Sequence, residues 1–340
     1  GATKTTTITR TTSATSNLDT TVTNYALSTG NLDIATGGTL TANGSTITLT
    51  ANGTPLTRNG TFTYGTSTVV YNHATSATIT AMTGTGGSNG YYNLQTDGAG
   101  TYTLGGNTTI NNNLTITQGT LDVDNTNNYS LTITGNYSNS GTFTARSGRV
   151  TFNATDTGNT VSGTMTGTSA FFDLTFDGSG GAWALAAAAT VSDDLSVTSG
   201  TFSTSGTNYD LTAGRISISA GGTLTANGST ITLNGTGDLF TKNTGTFNAN
   251  TSTVVMNPNA SVTVITGGGA TTFNNLTLSP TITVARTYTF GSNAITIDGN
   301  FNINPTASSV LALTVNMGAA ITVGATKTTT ITRTTSATSN

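Results

Sequence analysis

Residues 37–49 read GGTLTANGSTITL, and the same letters stand again, without a change, at 221–233. Within the stretch, Thr46-Ile47-Thr48-Leu49 alternates at period two, which puts Ile and Leu on one face of an extended chain and Thr on the other. The Asn-Gly ahead of it supplies the left-handed backbone of a tight turn. Leu131-Thr132-Ile133-Thr134 and Ile282-Thr283-Val284 repeat the theme, each bounded by GG, NG, SG or NS. Runs this short, with a corner residue at almost every end, favour the coils of a solenoid. The strands of a sandwich are longer on average.

Other words recur around this one. TNYAL at Tyr25 returns as NNYSL at Tyr129 and TNYDL at Tyr209; TSTVVYN (66–72) returns as SGRVTFN (147–153) and TSTVVMN (251–257). YYNLQT (91–96) is echoed by FFDLTF (171–176) and FNNLTL (273–278). The three words keep their order three times, which defines modules at about 18–121, 122–201 and 202–323. The modules differ by insertion. Tyr25 to Phe62 and Tyr209 to Phe247 are nearly equal in length, whereas Tyr129 to Phe143 is far shorter. The missing piece, about 23 residues, is the size of one coil of a three-sided β-solenoid, and a repeat protein that loses a whole coil keeps the rest in register. The third module carries a surplus of about 37 residues after Leu276, which is no multiple of a coil.

A longer period encloses these. GATKTTTITRTTSATSN, residues 1–17, is repeated at 324–340 without one difference. Residues 1–323 are therefore read as one full period of a tandem repeat and 324–340 as the start of the next. The two copies are expected to adopt one conformation.

Composition agrees with an all-β chain. Only 7% of residues are charged, all 13 acidic residues are Asp, and Thr supplies about a quarter of the sequence. Thr is β-branched and suits a pleated surface, while abundant Gly and Asn suit corners. Low charge, four prolines and plentiful Val, Ile, Leu, Phe and Tyr argue against disorder. A net charge of −3 offers no footprint for nucleic acid or an anionic membrane. There is no cysteine, so disulfides and thiolate metal sites are excluded. The most apolar run, AWALAAAA at 182–189, is far too short to span a membrane and reads as a buried segment.

The succession FxNLT, GTL or GTF, NYxLTITGN and GTFTARSGRVTFN resembles bacterial "β-strand repeat" surface proteins, which are adhesin-like giant chains. The resemblance implies a right-handed parallel β-helix and a cell-surface setting. It brings no binding or catalytic residue with it.

Chemistry is sparse. The one histidine, His73, follows TSTVVYN, but Ala154 and Pro258 stand at the corresponding places of the other modules, so it reads as turn decoration. Asp122 and Asp124 in LDVDN fall on one side of a strand, and Asp193-Asp194 are adjacent. Such pairs can bind Ca²⁺ or do acid–base work. Capping of backbone N–H groups at corners is the preferred reading, because no basic group lies near them in sequence. GTGGSNG (84–90) and GGGA (267–270) read as loops and not phosphate cradles. T-x-T pairs (Thr46/Thr48, Thr61/Thr63, Thr281/Thr283, Thr287/Thr289) can match an ice lattice on a flat face, but they occur at no fixed phase. Tyr91-Tyr92 and Phe171-Phe172 are candidates for exposed aromatic rows, with core positions preferred. Sequons at Asn43, Asn52, Asn59, Asn113, Asn153, Asn234 and Asn275 follow from an Asn- and Thr-rich composition.

The sequence thus predicts a right-handed parallel β-helix with about 20–24 residues per coil, with tandem β-sandwich domains as the alternative. A period of 323 residues makes roughly 14 coils and roughly 70 Å of fibre at about 4.8 Å per coil. The expected function is structural: the repeat unit of an extracellular filament, surface fibre or stalk. An adhesin-type binding module for carbohydrate or ice is the runner-up. No enzyme activity, catalytic residue, cofactor or metal is expected. The expected partners are further copies of the chain, end to end and with lateral bundling, and neither nucleic acid nor an inserted membrane. Lys and Arg are expected mostly at turns.

Overall fold

Alternating Thr and aliphatic residues make short strands, and in the computed structural model these strands stack in parallel into a β-solenoid. The structure describes residues 4–9, 16–20, 24–307, 311–332 and 334–335. All the described ladders are parallel, whereas a sandwich would pair its strands antiparallel, so the sandwich alternative falls. The chain divides into two units: residues 1–153 with 160–171, and residues 154–159 with 172–340.

In the first unit one face is the stack Leu27–Thr29, Thr46–Leu49, Thr68–Tyr71, Asn93–Thr96, Leu114–Ile116 and Tyr137–Asn139. Its register aligns Leu27, Ile47, Val69, Leu94, Leu114 and Tyr137 in one column. All but Leu27, at the end of the stack, are buried. Every coil thus buries the same positions of its strand, and each column contributes apolar contact in proportion to the area removed from water. In the second unit Val191, Ala213, Leu233, Met256, Leu278, Ile303 and Ile331 form an equivalent column. Aromatic rings pack against one another in the core: Phe176 stacks on Phe202 at 4.1 Å, and Phe240, Phe247 and Phe273 form a cluster with centroids 5.3–5.6 Å apart.

Two strands, Asp173–Leu185 and Ala189–Ser203, turn a corner without interruption and pair on two faces each. They contain most of the stretch 182–189, which is not wholly buried as expected. Trp183, Leu185 and Ala189 enter the core, but Ala186 and Ala188 are exposed at the corner between the strands. Coil length also varies more widely than the sequence predicts. Thr101 pairs with Thr120, a step of 19, and Phe301 with Thr329, a step of 28. Corner loops absorb the difference, because the strands need keep only their register.

The module with the missing piece lacks one coil. Leu27 is followed in its column by Ile47 and then Val69, and Leu211 by Ile231 and then Val254. Leu131 is followed directly by Val150, with the TITL strand left out.

The recurring Asn-Tyr word is a corner lock. Asn24, Asn128 and Asn208 all have left-handed φ values of 53, 51 and 61°. Each side-chain oxygen accepts a hydrogen bond from a backbone N–H in the next coil: Gly44 at 2.9 Å, Ser147 at 3.0 Å and Gly228 at 2.8 Å. Just before those three donors stand Asn43, Arg146 and Asn227, left-handed again at 48, 51 and 49°. One coil further, Gly65 (φ 53°) lies so close above Asn43 that a Cβ would meet its carbonyl oxygen at 2.5 Å. The corresponding corner of module three holds Asn250, left-handed at φ 46°, so the place takes glycine or asparagine.

Candidate functional site

Asp193 and Asp194 lie in the strand Ala189–Ser203, and the parallel register sets Asp194 beside Arg215 of the next coil. The Arg215 guanidinium bridges both carboxylates: Nη2 donates to Asp193 Oδ1 at 2.8 Å and Nε to Asp194 Oδ1 at 2.5 Å. Asp173, one coil to the other side, accepts the backbone N–H of Asp194 at 3.3 Å. One carboxylate oxygen from each of Asp173, Asp193 and Asp194 lies within 4.8 Å of the others. The hydrogen bond to Asp194 is the main reason that Arg215 holds its proton more tightly than usual. These acids are the residues that could ligate a cation, and the guanidinium already supplies positive charge to them. Beside them runs an open groove of about 510 Å³ lined by Asp194, Ser196, Arg215, Ser217, Asp238 and Thr241.

The first unit repeats the pairing with other residues. Asp122 is buried, and Arg146, one coil on, grips it with Nε to Oδ1 at 3.1 Å and Nη2 to Oδ2 at 2.6 Å. That bidentate bond raises the Arg146 pKa from its ordinary value. The spacing predicts that Asp124 shares a strand face with Asp122, and the structure does not place it there. The strand Thr120–Asp122 has ended, and Asp124 sits at φ 77° in a turn. Its carboxylate accepts the backbone N–H groups of Asn127 (2.8 Å) and Thr126 (3.0 Å), which hold its pKa below the usual range. This is corner capping. Asp122, Asp193 and Asp194, by contrast, are ionic ties between adjacent coils.

The basic partners went unread in the sequence because they lie one coil away. Arg146 follows Asp122 by 24 positions and Arg215 follows Asp194 by 21. The signal was an Asp and an Arg separated by one coil length. For the same reason the expectation that Lys and Arg sit mostly at turns is corrected. Arg58, Arg149, Arg215, Lys242 and Arg286 all lie in strands. Arg215 and Arg286 reach across to an adjacent coil, to the Asp193/Asp194 carboxylates and the Asn259 amide oxygen, whereas Arg58 donates to the Gly60 carbonyl of its own coil.

His73 is occupied locally. Its Nδ1 meets the Thr75 backbone N–H at 3.1 Å and Thr75 Oγ1 at 2.9 Å, and its backbone N–H and C=O are both bound by the Tyr102 hydroxyl at 2.8 Å. Tyr91 and Phe171 of the aromatic doublets are fully buried. Tyr91 shares a hydrogen bond of 2.9 Å with the Tyr71 hydroxyl in the core, and the half-buried Tyr92 stacks on Tyr64. The T-x-T residues point outward from buried Ile47, Phe62, Ile282 and Tyr288, but their ranks break: Thr48 has Ser28 and Val70 for neighbours. Among the sequons, Asn52, Asn59 and Asn234 are exposed. Asn113 and Asn275 belong to corner ladders, their oxygens accepting from the backbone N–H of Asn136 and Asn300 at 2.9 Å.

Ile331, the last member of the second unit's column among the described residues, is 74% exposed, and Met317 is 49% exposed. In the first unit a groove of about 400 Å³ opens between Thr6–Thr9 and Ser16–Leu18. Thr5–Ile8 and Thr329–Ile331 belong to the two copies of the 17-residue repeat, and both are strands. Positions 1–3, 10–15, 333 and 336–340 of those copies lie outside the described residues. No protein-family model, curated protein or solved structure matches the chain.

Proposed function

We propose that the chain is a structural protein, the repeat unit of an extracellular filament or surface fibre built by end-to-end stacking of β-solenoid coils. One observation carries the reading. The two copies of the 17-residue repeat form strands in parallel ladders with different neighbours, Thr5–Ile8 on Asn31–Ile34 and Thr329–Ile331 on Phe301–Ile303. A strand has two hydrogen-bonding edges, so one copy of the repeat can join both neighbours. Further copies are therefore the partners, whether as covalent tandem repeats or as head-to-tail subunits, and lateral bundling follows from the low charge. The cell-surface setting rests on composition and on the resemblance to β-strand repeat proteins. Electron microscopy of the purified chain tests the reading. Uniform fibres with an axial repeat of roughly 70 Å are expected at about 4.8 Å per coil, and compact monomers would overturn it.

The groove beside Arg215 favours the runner-up, an adhesin for carbohydrate, since its hydroxyl, carboxylate and guanidinium groups suit a polyhydroxylated ligand. Glycan-array binding that is lost in Arg215→Met while fibres persist would establish that second role.

A further inference from the structure

The repeated strand is seen twice, each time with a different neighbour. At the end of the second unit Thr329–Ile331 lies on Phe301–Ile303, with Phe301 opposite Thr329 and Ile303 opposite Ile331. At the start of the first unit Thr5–Ile8 lies against Asn31–Ile34, with Thr6 opposite Leu32 and Ile8 opposite Ile34. Thr6, Thr7 and Ile8 are the same residues of the repeat as Thr329, Thr330 and Ile331. From this we infer that Thr328–Ile331 of one chain takes the place of Thr5–Ile8 on Asn31–Ile34 of a second copy. The inference rests on the end-to-end reading above and adds its register: the ends join by exchange of an identical strand, not by abutment.

Three observations carry it. The first is backbone hydrogen bonding. In the C-terminal copy the Thr328 carbonyl accepts from Phe301 N–H at 3.1 Å, and Thr332 N–H donates to the Ile303 carbonyl at 2.9 Å. In the N-terminal copy the groups used are the Lys4 carbonyl, which accepts from Asn31 at 3.1 Å, and the Ile8 carbonyl, which accepts from Ala35 at 2.9 Å. These correspond to the carbonyls of Lys327 and Ile331. None of these groups is used in both copies, so one strand can satisfy both neighbours at once.

The second is side-chain phase. Ile331 stands opposite Ile303, and Ile8, its counterpart in the repeat, stands opposite Ile34 and is buried with it. A slip of one residue would turn Ile331 outward.

The third is the corner ladder. Asn300 Oδ1 accepts the Thr328 N–H at 3.3 Å, and Asn31 Nδ2 donates to the Thr5 hydroxyl at 3.4 Å. Thr5 and Thr328 are equivalent, so the Asn column of one copy runs through this residue into the next. Abutment of the two copies of the strand, Thr328–Ile331 on Thr5–Ile8, would require a pairing that no described ladder exemplifies.

The chain has no cysteine, so engineered pairs report cleanly. Two full-length double variants are compared under mild oxidation. Thr330→Cys with Asp33→Cys tests exchange, because Thr7, the counterpart of Thr330, stands opposite Asp33. Thr330→Cys with Thr7→Cys tests abutment. Neighbouring Cα atoms in a ladder are about 4.8 Å apart, within disulfide reach. The expected result is a ladder of cross-linked oligomers for the 33/330 pair and none for the 7/330 pair. Free peptide of the 17-residue repeat should lower the 33/330 yield by competing for Asn31–Ile34. Fibres with cross-links at 7/330, or with neither, would overturn the exchange and leave the filament reading standing. Monomers without cross-links would overturn both.

Discussion

Alkali should unfold the first unit where acid does not. Tyr71, Tyr91 and Tyr137 are fully buried there, and burial is the main cause that raises each phenol above its ordinary pKa. The Tyr71 and Tyr91 hydroxyls lie 2.9 Å apart, which further resists ionisation of Tyr91 beside Tyr71. The folded state therefore holds these protons more tightly than the unfolded chain, whose phenols titrate near pH 10. Their contribution is complete below about pH 10 and is lost as pH rises through the folded values. Tyr137 kept neutral at pH 11 costs about 1.4 kcal/mol, and Tyr71 and Tyr91 act in the same direction, against a typical net stability of about 5–15 kcal/mol. Nothing comparable acts on the acid side among the described residues. The ion pairs Arg146–Asp122 and Arg215–Asp193/Asp194 are partly exposed, and each contributes about 0–1 kcal/mol. Tyr137→Phe is the direct perturbation, since it removes one linked proton with little change in volume. Urea unfolding followed by circular dichroism at a series of pH values should show a plateau from about pH 5 to 9 and a steep alkaline fall. Tyr137→Phe should make that fall shallower by about 1.4 kcal/mol per pH unit. An unchanged alkaline slope in the variant, or an equally steep acid limb in the parent, would refute the reasoning.

Two further outcomes follow from the corners and the ionic ties. Asn208→Ala loses the hydrogen bond to Gly228 and forces a Cβ without amide compensation into φ 61°, so it should cost about 1–2 kcal/mol in urea unfolding. Asn208→Gly should recover the backbone share of that loss, and equal costs for the two variants would contradict it. Arg215→Met leaves the Asp173, Asp193 and Asp194 carboxylates facing one another and should destabilise by about 1 kcal/mol at low ionic strength. Added salt should restore part of the loss, and a loss indifferent to salt would mean that the guanidinium acts by packing alone.

The strands were legible because each is local: Thr46–Leu49 alternates and is followed by its corner within a few letters. The stacking was legible through repetition, since the piece around TITL that modules one and three carry and module two lacks has the length of a coil. The ionic ties were not. Asp122 and Arg146 are 24 positions apart in a chain whose coil step runs from 19 to 28, so no fixed offset would have picked them out. Asp124 shows the converse limit. Its alternation with Asp122 is that of a strand, but the left-handed turn at Asp124 ends the strand first, and a carboxylate that can cap two N–H groups is more stable there. The corner lock was visible only as a recurring Asn-Tyr word. Its reason lies in a hydrogen bond to a residue 20 positions on, in another coil.

Coil perimeter gives the surplus of the third module a physical account and bears on the junction. After Leu276 the column runs to Phe301 and on to Thr329, steps of 25 and 28, where the corresponding step from Leu94 to Leu114 is 20. The surplus is thus one additional long coil together with the widening of its neighbours. The widening has a form: an extra short side made by Thr281–Ile282, Thr306–Ala307 and Thr334–Thr335, each paired to the next. A solenoid can stay in register on every face only if successive coils nearly match in perimeter, for otherwise the excess must be looped out at a corner. The first described step of the chain, Thr5 to Asn31, is 26, whereas Leu131 to Val150 takes only 19. An end-to-end stack of repeats, as proposed above, would therefore join coils that are long on both sides, with steps of 28 and 26. A long coil joined to one as short as that from Leu131 would have to loop out the excess at a corner.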